Sequence, residues 1–258
     1  MTTLQKAAQD WEDLAKVDPL WAVLQDPRKF GKWDLAEFFA TGEREISEVM
    51  VEADKLGYPE ARDRVLDFGC GVGRVTRALS LYFQDCHGID ISKEMIANAR
   101  KLNSDFPTCR FAVTQTSDLG MFPDNYFDMT YSNLVLQHLP NQNAITNYIS
   151  EFIRTTNENG LTVFQLPHSI SRSYRLGVRR WPFRLLRSLG FGTRLLVQHL
   201  RLNPTKMNYL PEHDVVTLVE KRGGQMLEIK RDLSSEQLIS SRTYFLTKGH
   251  AQSRSATR

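Results

Sequence analysis

The sequence predicts an α/β fold: a doubly wound, mostly parallel seven-stranded sheet with an N-terminal helical extension and a helical insertion after the fifth strand. Three observations predict it. Between Arg64 and Leu166 short apolar runs alternate with helical stretches, and strands separated by helices of roughly 10 to 15 residues form right-handed βαβ units in a parallel sheet covered on both faces. The first apolar run ends in a glycine-rich turn, Asp67-Phe68-Gly69-Cys70-Gly71-Val72-Gly73, that leads into a helix. Finally, 258 residues that are 41% hydrophobic and 24% charged suffice for one well-buried domain with additions and are too balanced for disorder.

Each element has its own signal. Trp11, Leu14 and Val17, then Trp21 and Leu24, recur at helical intervals, and Asp34-Leu35-Ala36-Glu37 resembles a capping box opening a helix through Phe38, Phe39, Ile46, Val49 and Met50. Residues 1–60 therefore form a helical extension, or lid, which Gly57-Tyr58-Pro59 ends. The main domain, 61–249, holds strands at Arg64–Phe68, Cys86–Ile91, Cys109–Val113, Phe127–Tyr131 and Leu161–Leu166, with helices at Val75–Phe83, Lys93–Asn103 and Ala144–Thr155. A basic insertion, 168–211, interrupts the alternation. A helix at Glu212–Lys221 and strands at Met226–Arg231 and Arg242–Thr247 follow; the polar Leu233–Gln237 stretch between those strands permits an antiparallel hairpin at the end of the sheet. Residues 250–258 are expected to be a disordered tail.

Composition narrows the setting. The opening residues lack a charged segment followed by an apolar one, so no signal peptide is expected, and no apolar run approaches the roughly 20 residues of a membrane span. Cys70, Cys86 and Cys109 are odd in number and lack metal-ligand spacing, which points to a reducing, cytoplasmic setting. No Asp, His or Cys cluster calls for a metal. The net charge of +3 hides an asymmetry: 168–211 carries nine Lys and Arg and no acid, leaving 24 basic against 30 acidic residues elsewhere. In this insertion Arg180, Arg184 and Arg187 share a helical face, Trp181, Phe183, Leu185, Leu186 and Leu189 supply apolar surface, and Arg194 and Arg201 lie a heptad apart. It reads as one or two amphipathic helices. They are a solvated cationic face on a packed lid, a site for an anionic acceptor, or a peripheral contact with an anionic membrane carrying a lipid-like acceptor. Nucleic acid is not expected, since the rest of the chain is acidic and shows no RNA-binding module.

The glycine turn carries the chemistry. A dinucleotide loop has the spacing G-x-G-x-x-G and aims helix N–H groups at a pyrophosphate. Here the spacing is D-x-G-x-G-x-G, and Asp67 at the strand end repels a pyrophosphate but suits a cationic ligand. Asp90 ends the second strand 17 residues after Gly73, where a carboxylate accepts hydrogen bonds from both ribose hydroxyls. Asp90 alone also suits a nicotinamide cofactor; its pairing with Asp67 favours a positively charged adenosyl compound.

These motifs, with Gly88-Ile89-Asp90-Ile91-Ser92 and the segment Phe127 to Leu139, resemble in order and spacing the class I S-adenosylmethionine-dependent methyltransferases. The resemblance spans about Arg64 to Leu166 and implies a Rossmann-like methyltransferase fold with S-adenosylmethionine as cofactor. It places Gly69, Gly71 and Gly73 along the methionine and adenosyl portion, Asp67 on the loop and amino group, Asp90 on the ribose, and Ile91 and Met95 beside the adenine, with Arg74 and Asn133 also in the cofactor site. The acid that commonly follows the third strand and meets the adenine amine is missing. Val113-Thr114-Gln115-Thr116-Ser117-Asp118 stands there, so either Gln115, flanked by Thr116, or Asp118 accepts from the amine; Asp118 also reads as a turn residue.

Ser132, Asn133 and His138 fall at the carboxyl end of the sheet, where open α/β folds bind ligands. His138 is a candidate general base or a polar residue fixing the next helix, and His168 is a similar candidate. Transfer from a sulfonium rests mainly on in-line positioning. The expected activity is methyl transfer to a small-molecule acceptor, with oxygen as the nucleophile; the Asn or Asp-Pro-Pro-aromatic run of many amino-methylating nucleic-acid enzymes is absent. A noncatalytic S-adenosylmethionine-binding module and a nicotinamide-dinucleotide oxidoreductase are the alternatives.

Overall fold

The computed structural model describes residues 3–171, 178–231 and 239–248; the tail at 250–258 and the Leu233–Gln237 stretch lie outside them. The extension comprises α1 (Thr3–Val17), α2 (Pro19–Val23) and α3 (Leu35–Leu56). The domain continues through β1 (Arg64–Phe68), α4 (Arg74–Leu79), β2 (Asp85–Asp90), α5 (Lys93–Leu102), β3 (Cys109–Val113), β4 (Phe127–Ser132), α6 (Gln142–Thr155) and β5 (Thr156–Ile170). The insertion holds α7 (Arg180–Ser188) and α8 (Thr193–Gln198), and the chain closes with α9 (Glu212–Lys221), β6 (Gly224–Arg231) and β7 (Ile239–Lys248). None of these helices is long and apolar enough to cross a membrane.

The seven strands run in the order β3-β2-β1-β4-β5-β7-β6. β1 to β5 pair in parallel, and β7 is antiparallel to both β5 and β6. The expected terminal hairpin therefore forms with its second strand inserted between β5 and β6. Side chains explain the choice: Tyr244, Phe245 and Leu246 of β7 are buried, whereas no residue of β6 is. β6 carries Glu228, Lys230 and Arg231, charges suited to an edge strand.

Alternate residues feed the two faces of the sheet, as the period of two requires. Leu66, Phe68, Phe164, Leu166 and Tyr244 pack with Phe152 of α6 and Val215 of α9. Val65, Val163 and Phe245 pack with Ile46 and Met50 of α3 and Leu79 of α4. Fully burying each such side chain contributes about 1.5–3 kcal/mol.

Two elements depart from the sequence reading. β5 begins five residues early, because Asn157-Glu158-Asn159-Gly160 is an irregularity within the strand, with Asn159 at φ 58°, and pairing resumes at Met129↔Leu161. α4 stops at Leu79, where the hydroxyl of Ser80 donates to the Arg77 carbonyl at 2.7 Å.

The extension is capped as expected, Asp34 accepting from the Glu37 amide at 2.9 Å. The Glu37 carboxylate pairs with Lys29. α3 lies against α4 because residue 42 is glycine: a Cβ there would sit 2.7 Å from the Arg74 carbonyl oxygen. The insertion folds onto the extension. Phe183 and Leu196 join Leu14 and Phe38 in one apolar cluster, and Arg184 and Arg187 of α7 face Asp10 and Asp13 of α1 at 3.9 and 3.6 Å.

Candidate functional site

Strand order reverses between β1 and β4, and a crevice outside the carboxyl ends of the strands opens at such a switch point. Here the crevice is a cavity of about 130 Å³. Asp67, Gly69, Gly71, Arg74, Asp90, Ile91, Met95, Asn133 and His138 all line it. Gly73 does not. At φ 81°, it permits close packing: a Cβ would meet the Phe111 ring at 2.7 Å, so the third glycine of the loop sets helix against sheet. Gly71, at φ 53°, faces the extension, and a Cβ there would lie 2.5 Å from Val23 Cγ2.

The two acids are built in differently. Asp90 Oδ2 accepts from the Gly71 amide at 3.0 Å and its Oδ1 from the Ser92 amide at 2.9 Å, tying the glycine loop to the end of β2 and leaving lone pairs for a ligand. Asp67 is buried and accepts from the Thr76 hydroxyl at 2.6 Å. Burial pushes its carboxyl up to about 7 against the opposing effects of Thr76 and Arg74, and burial likewise raises Asp90. A buried and a half-buried carboxyl on one cavity favour a cationic ligand, which would relieve both.

A hub missed in the sequence is Glu45 of α3. Its Oε2 pairs with Arg74 Nη2 at 2.7 Å, and its Oε1 accepts from Tyr131 Oη at 2.8 Å and Asn133 Nδ2 at 2.9 Å. Arg74 also reaches Thr41 at 3.3 Å, while its buried Nε has no partner. Burial and the Glu45 carboxylate drive the Tyr131 phenol well above its ordinary value. The only signal was an acid three residues from Gly42 on the buried face of α3.

Leu4, Ala7 and Trp11 of α1 and Ala22 and Val23 of α2 complete the cavity wall; sequence reading named the extension as a cover without finding these residues. At the other end the wall is Thr114 and Tyr148. Gln115, Thr116 and Asp118 are exposed and lie off the cavity lining. Their loop is held from below, the Tyr148 hydroxyl donating to the Thr116 carbonyl at 2.7 Å and Asn147 to the Ser117 carbonyl at 2.6 Å. Asp118 accepts from the Gly120 amide at 3.1 Å, the turn role open to it.

His138 ends a 3-10 turn, Leu136–His138, after β4. Its Nδ1 lies 3.0 Å from the Lys206 carbonyl oxygen, which can only accept, so Nδ1 carries the proton and Nε2 presents a lone pair. The Gln137 side-chain amide donates to that Nε2 at 3.3 Å, and the Trp11 ring meets the imidazole edge-on at 5.2 Å. Burial holds the ring below its ordinary pKa. His168 is elsewhere, its Nε2 2.9 Å from the Ser240 hydroxyl of β7. Ser132 donates to the Phe68 carbonyl at 3.2 Å and is buried.

A family model for the methyltransferase domain matches residues 66–164, the stretch that holds both acids and the glycine loop. The chain is 29% identical over 119 residues to the uncharacterized methyltransferase YcgJ of Bacillus subtilis, covering 43% of this chain and 46% of that protein. It is 33% identical over 103 residues to a malonyl-[acyl-carrier protein] O-methyltransferase of Buchnera aphidicola, covering 39% and 38%. The matches thus span less than half the length of these curated relatives. Among solved structures, magnesium protoporphyrin IX methyltransferase from Synechocystis with bound S-adenosylhomocysteine aligns with a TM-score of 0.58 at 19% identity, over 93% of this chain and 97% of that one. A Leishmania major S-adenosylmethionine-dependent methyltransferase aligns with a TM-score of 0.63 at 14% identity, over 95% and 83%. Residues 66–164 therefore match a methyltransferase domain, and this sheet order, with the acidic glycine loop at its switch point, is the fold of the S-adenosylmethionine-dependent methyltransferases.

Proposed function

We propose that the protein transfers a methyl group from S-adenosylmethionine to a small molecule that attacks through oxygen. One observation carries the reading: Asp67, the glycine loop and Asp90 line a single cavity at the switch point of the sheet. In this reading Asp90 binds the ribose hydroxyls, Ile91 and Met95 flank the adenine, and Gly69 and Gly71 admit the chain of the ligand without a Cβ in its way. Asp67 faces the amino group and Arg74, whose Nε is unpaired, the carboxylate; Asn133 is held beside them by Glu45. Gln115, Thr116 and Asp118 reach the adenine end only by a shift of their loop, whereas Thr114 already stands there. S-adenosylmethionine supplies an electrophilic methyl on a sulfonium that needs no further activation.

The residues around that donor orient and exclude water. Residues 1–60 act as the lid on the domain of 61–249, with Trp11 and Val23 closing the donor side, and effective molarity supplies most of the acceleration. His138 Nε2, exchanging the Gln137 amide for the acceptor hydroxyl, takes up its proton, with Nδ1–H anchored on the Lys206 carbonyl; this neutral, anchored imidazole is what favours oxygen as the nucleophile. The three free cysteines support a cytoplasmic setting.

Calorimetric titration with S-adenosylhomocysteine, followed by transfer assays with radiolabelled donor on hydroxyl, carboxyl and amine acceptors, tests this. Binding with transfer to oxygen is expected. Binding without transfer to any acceptor replaces the enzyme by a cofactor-binding module, and binding of NAD with no S-adenosylhomocysteine binding replaces it by an oxidoreductase. A second reading of the partner rests on the insertion, where Trp181 is 71% and Leu189 67% exposed among arginines: the acceptor is lipid-like and reached at an anionic membrane surface. Co-flotation with phosphatidylglycerol vesicles but not phosphatidylcholine vesicles is expected, and no flotation with either removes it.

A further inference from the structure

A second cavity, about 180 Å³ in volume, shares Ala7, Trp11, His138 and Pro140 with the first. Its outer wall is cationic. Lys6 of α1, Arg180 and Arg184 of α7, and Lys206 of the segment before α9 face it, against a single carboxylate, Asp10.

That carboxylate does not satisfy them. Asp10 Oδ2 stands 3.9 Å from Arg184 Nη2, beyond hydrogen-bond distance, and the buried Nε of Arg180 has no partner. Lys206 Nζ donates to the Pro140 carbonyl at 3.0 Å, which leaves its charge uncompensated. The crowding registers on Asp10, Arg180 and Lys206. Burial pushes Asp10 up to about 6, burial and then Arg184 lower Arg180, and burial and then Arg180 lower Lys206. Partly buried cations that depress one another have a ready counterpart in a multidentate anion, which accepts several charge-assisted hydrogen bonds at once.

We propose that this second cavity is the acceptor subsite and that Arg180, Arg184 and Lys206 select an acceptor bearing an oxyanion, a carboxylate or a phosphate group. The assignment rests on the transferase reading. An anion held by Arg180 and Lys206 leaves the rest of the acceptor to pass Trp11 and His138, the wall common to both cavities, toward the donor. Lys206 then serves twice, its side chain on the anion and its carbonyl on His138 Nδ1. Selection and proton uptake are thus coupled through one residue.

The full chain, saturated with S-adenosylhomocysteine, is titrated calorimetrically with phenyl phosphate, benzoate, inorganic phosphate and the neutral benzyl alcohol. At least one organic anion binds stoichiometrically and about tenfold or more tighter than benzyl alcohol, and the tighter of phenyl phosphate and benzoate identifies the group; tighter binding of inorganic phosphate than of either assigns the cavity to free phosphate and overturns the acceptor role. Arg180→Ala weakens the preferred anion by about tenfold or more, Asp10→Asn strengthens it, and both keep S-adenosylhomocysteine affinity within about twofold. No anion binding by the unaltered chain, or equal anion affinity in Arg180→Ala with cofactor binding retained, overturns the proposal. If Arg180→Ala loses cofactor binding through misfolding, Asp10→Asn decides: stronger anion binding supports the subsite and unchanged binding overturns it. Failure of the unaltered chain to bind S-adenosylhomocysteine is a different result, which removes the transferase reading and this one with it.

Discussion

Replacing Asp67 by Asn should stabilise the ligand-free protein and weaken its hold on the cofactor at the same time. The carboxyl is buried and titrates near 7 against an ordinary value of 3.8. An acid whose folded pKa is raised contributes fully to stability below its unfolded pKa and loses that contribution as pH rises through the folded one. For Asp67 the window runs from about 4 to about 7. Above it the folded chain carries a desolvated charge at a cost of about 4 kcal/mol, from a shift of about three units at 1.36 kcal/mol each. An amide of the same shape still accepts from the Thr76 hydroxyl but carries no charge, so the gain is about 2–3 kcal/mol near pH 8 after the weaker hydrogen bond is allowed for. Near pH 5 the gain shrinks to about 1 kcal/mol or less, because the native carboxyl is then protonated. Thermal unfolding of the free protein at the two pH values reads this directly; a gain of 2–3 kcal/mol raises Tm by roughly 4–10 °C for a domain of this size. Calorimetry with S-adenosylmethionine should show affinity falling about tenfold or more, since a cationic ligand loses its counter-charge. An Asp67→Asn chain no more stable near pH 8 than near pH 5 relative to the parent, or one that binds the donor unchanged, refutes the argument.

Asp90→Ala leaves the Gly71 and Ser92 amides without their acceptor and removes the ribose partner, and S-adenosylhomocysteine affinity should fall about 10- to 100-fold by calorimetry. Gly71→Val combines a left-handed backbone with a clash on Val23; cofactor binding should be lost and the α1–α2 segment should become sensitive to limited proteolysis. Glu45→Gln strips the counter-charge from Arg74, which is only 5% exposed along its side chain, and should cost about 2–3 kcal/mol in denaturant unfolding. For His138→Ala, turnover should drop about 100-fold or more while donor affinity holds, and the acidic limb of the kcat/KM profile, lying below 6.5 because burial lowers the ring's pKa, should vanish.

What was legible in the sequence is what the backbone encodes locally. The short apolar runs at Arg64–Phe68 and Leu161–Leu166, the turn at Gly69 to Gly73 and the acid closing β2 are each set within a few residues, and each stands where it was expected, although β5 extends beyond its run at both ends. The terminal strand pair was legible as a hairpin, but not its order, because only the burial of both faces of Tyr244–Leu246 sends β7 inward and leaves the charged β6 outside. Gln115 and Asp118 were plausible by donor chemistry; the anchoring of their loop by Tyr148 and Asn147, some thirty residues away, turns them outward.

The cavity roof was illegible for the same reason, and it changes what the extension does. Glu45 binds residues 86 and 88 positions away in sequence, Tyr131 and Asn133, and no window of local sequence contains that relation. Yet through it α3 is fixed to the end of β4, Gly42 brings the same helix against Arg74, and α1 and α2 follow as walls of the cavity and partners of α7. A cover joined to the sheet at a buried ion pair is different from a loose flap. α3 stays with the core as a fixed wall, whereas α1, tied to α5 by Glu12, which accepts from the Ser92 hydroxyl and the Glu94 amide, meets α7 among the described residues through a 3.9 Å and a 3.6 Å charge contact and an apolar cluster. Opening for donor exchange is therefore expected at the α1–α7 seam, where exposed ion pairs contribute at most about 1 kcal/mol each. Hydrogen exchange should show Thr3–Val17 opening well before Leu35–Leu56; equal protection of the two helices would place the door elsewhere.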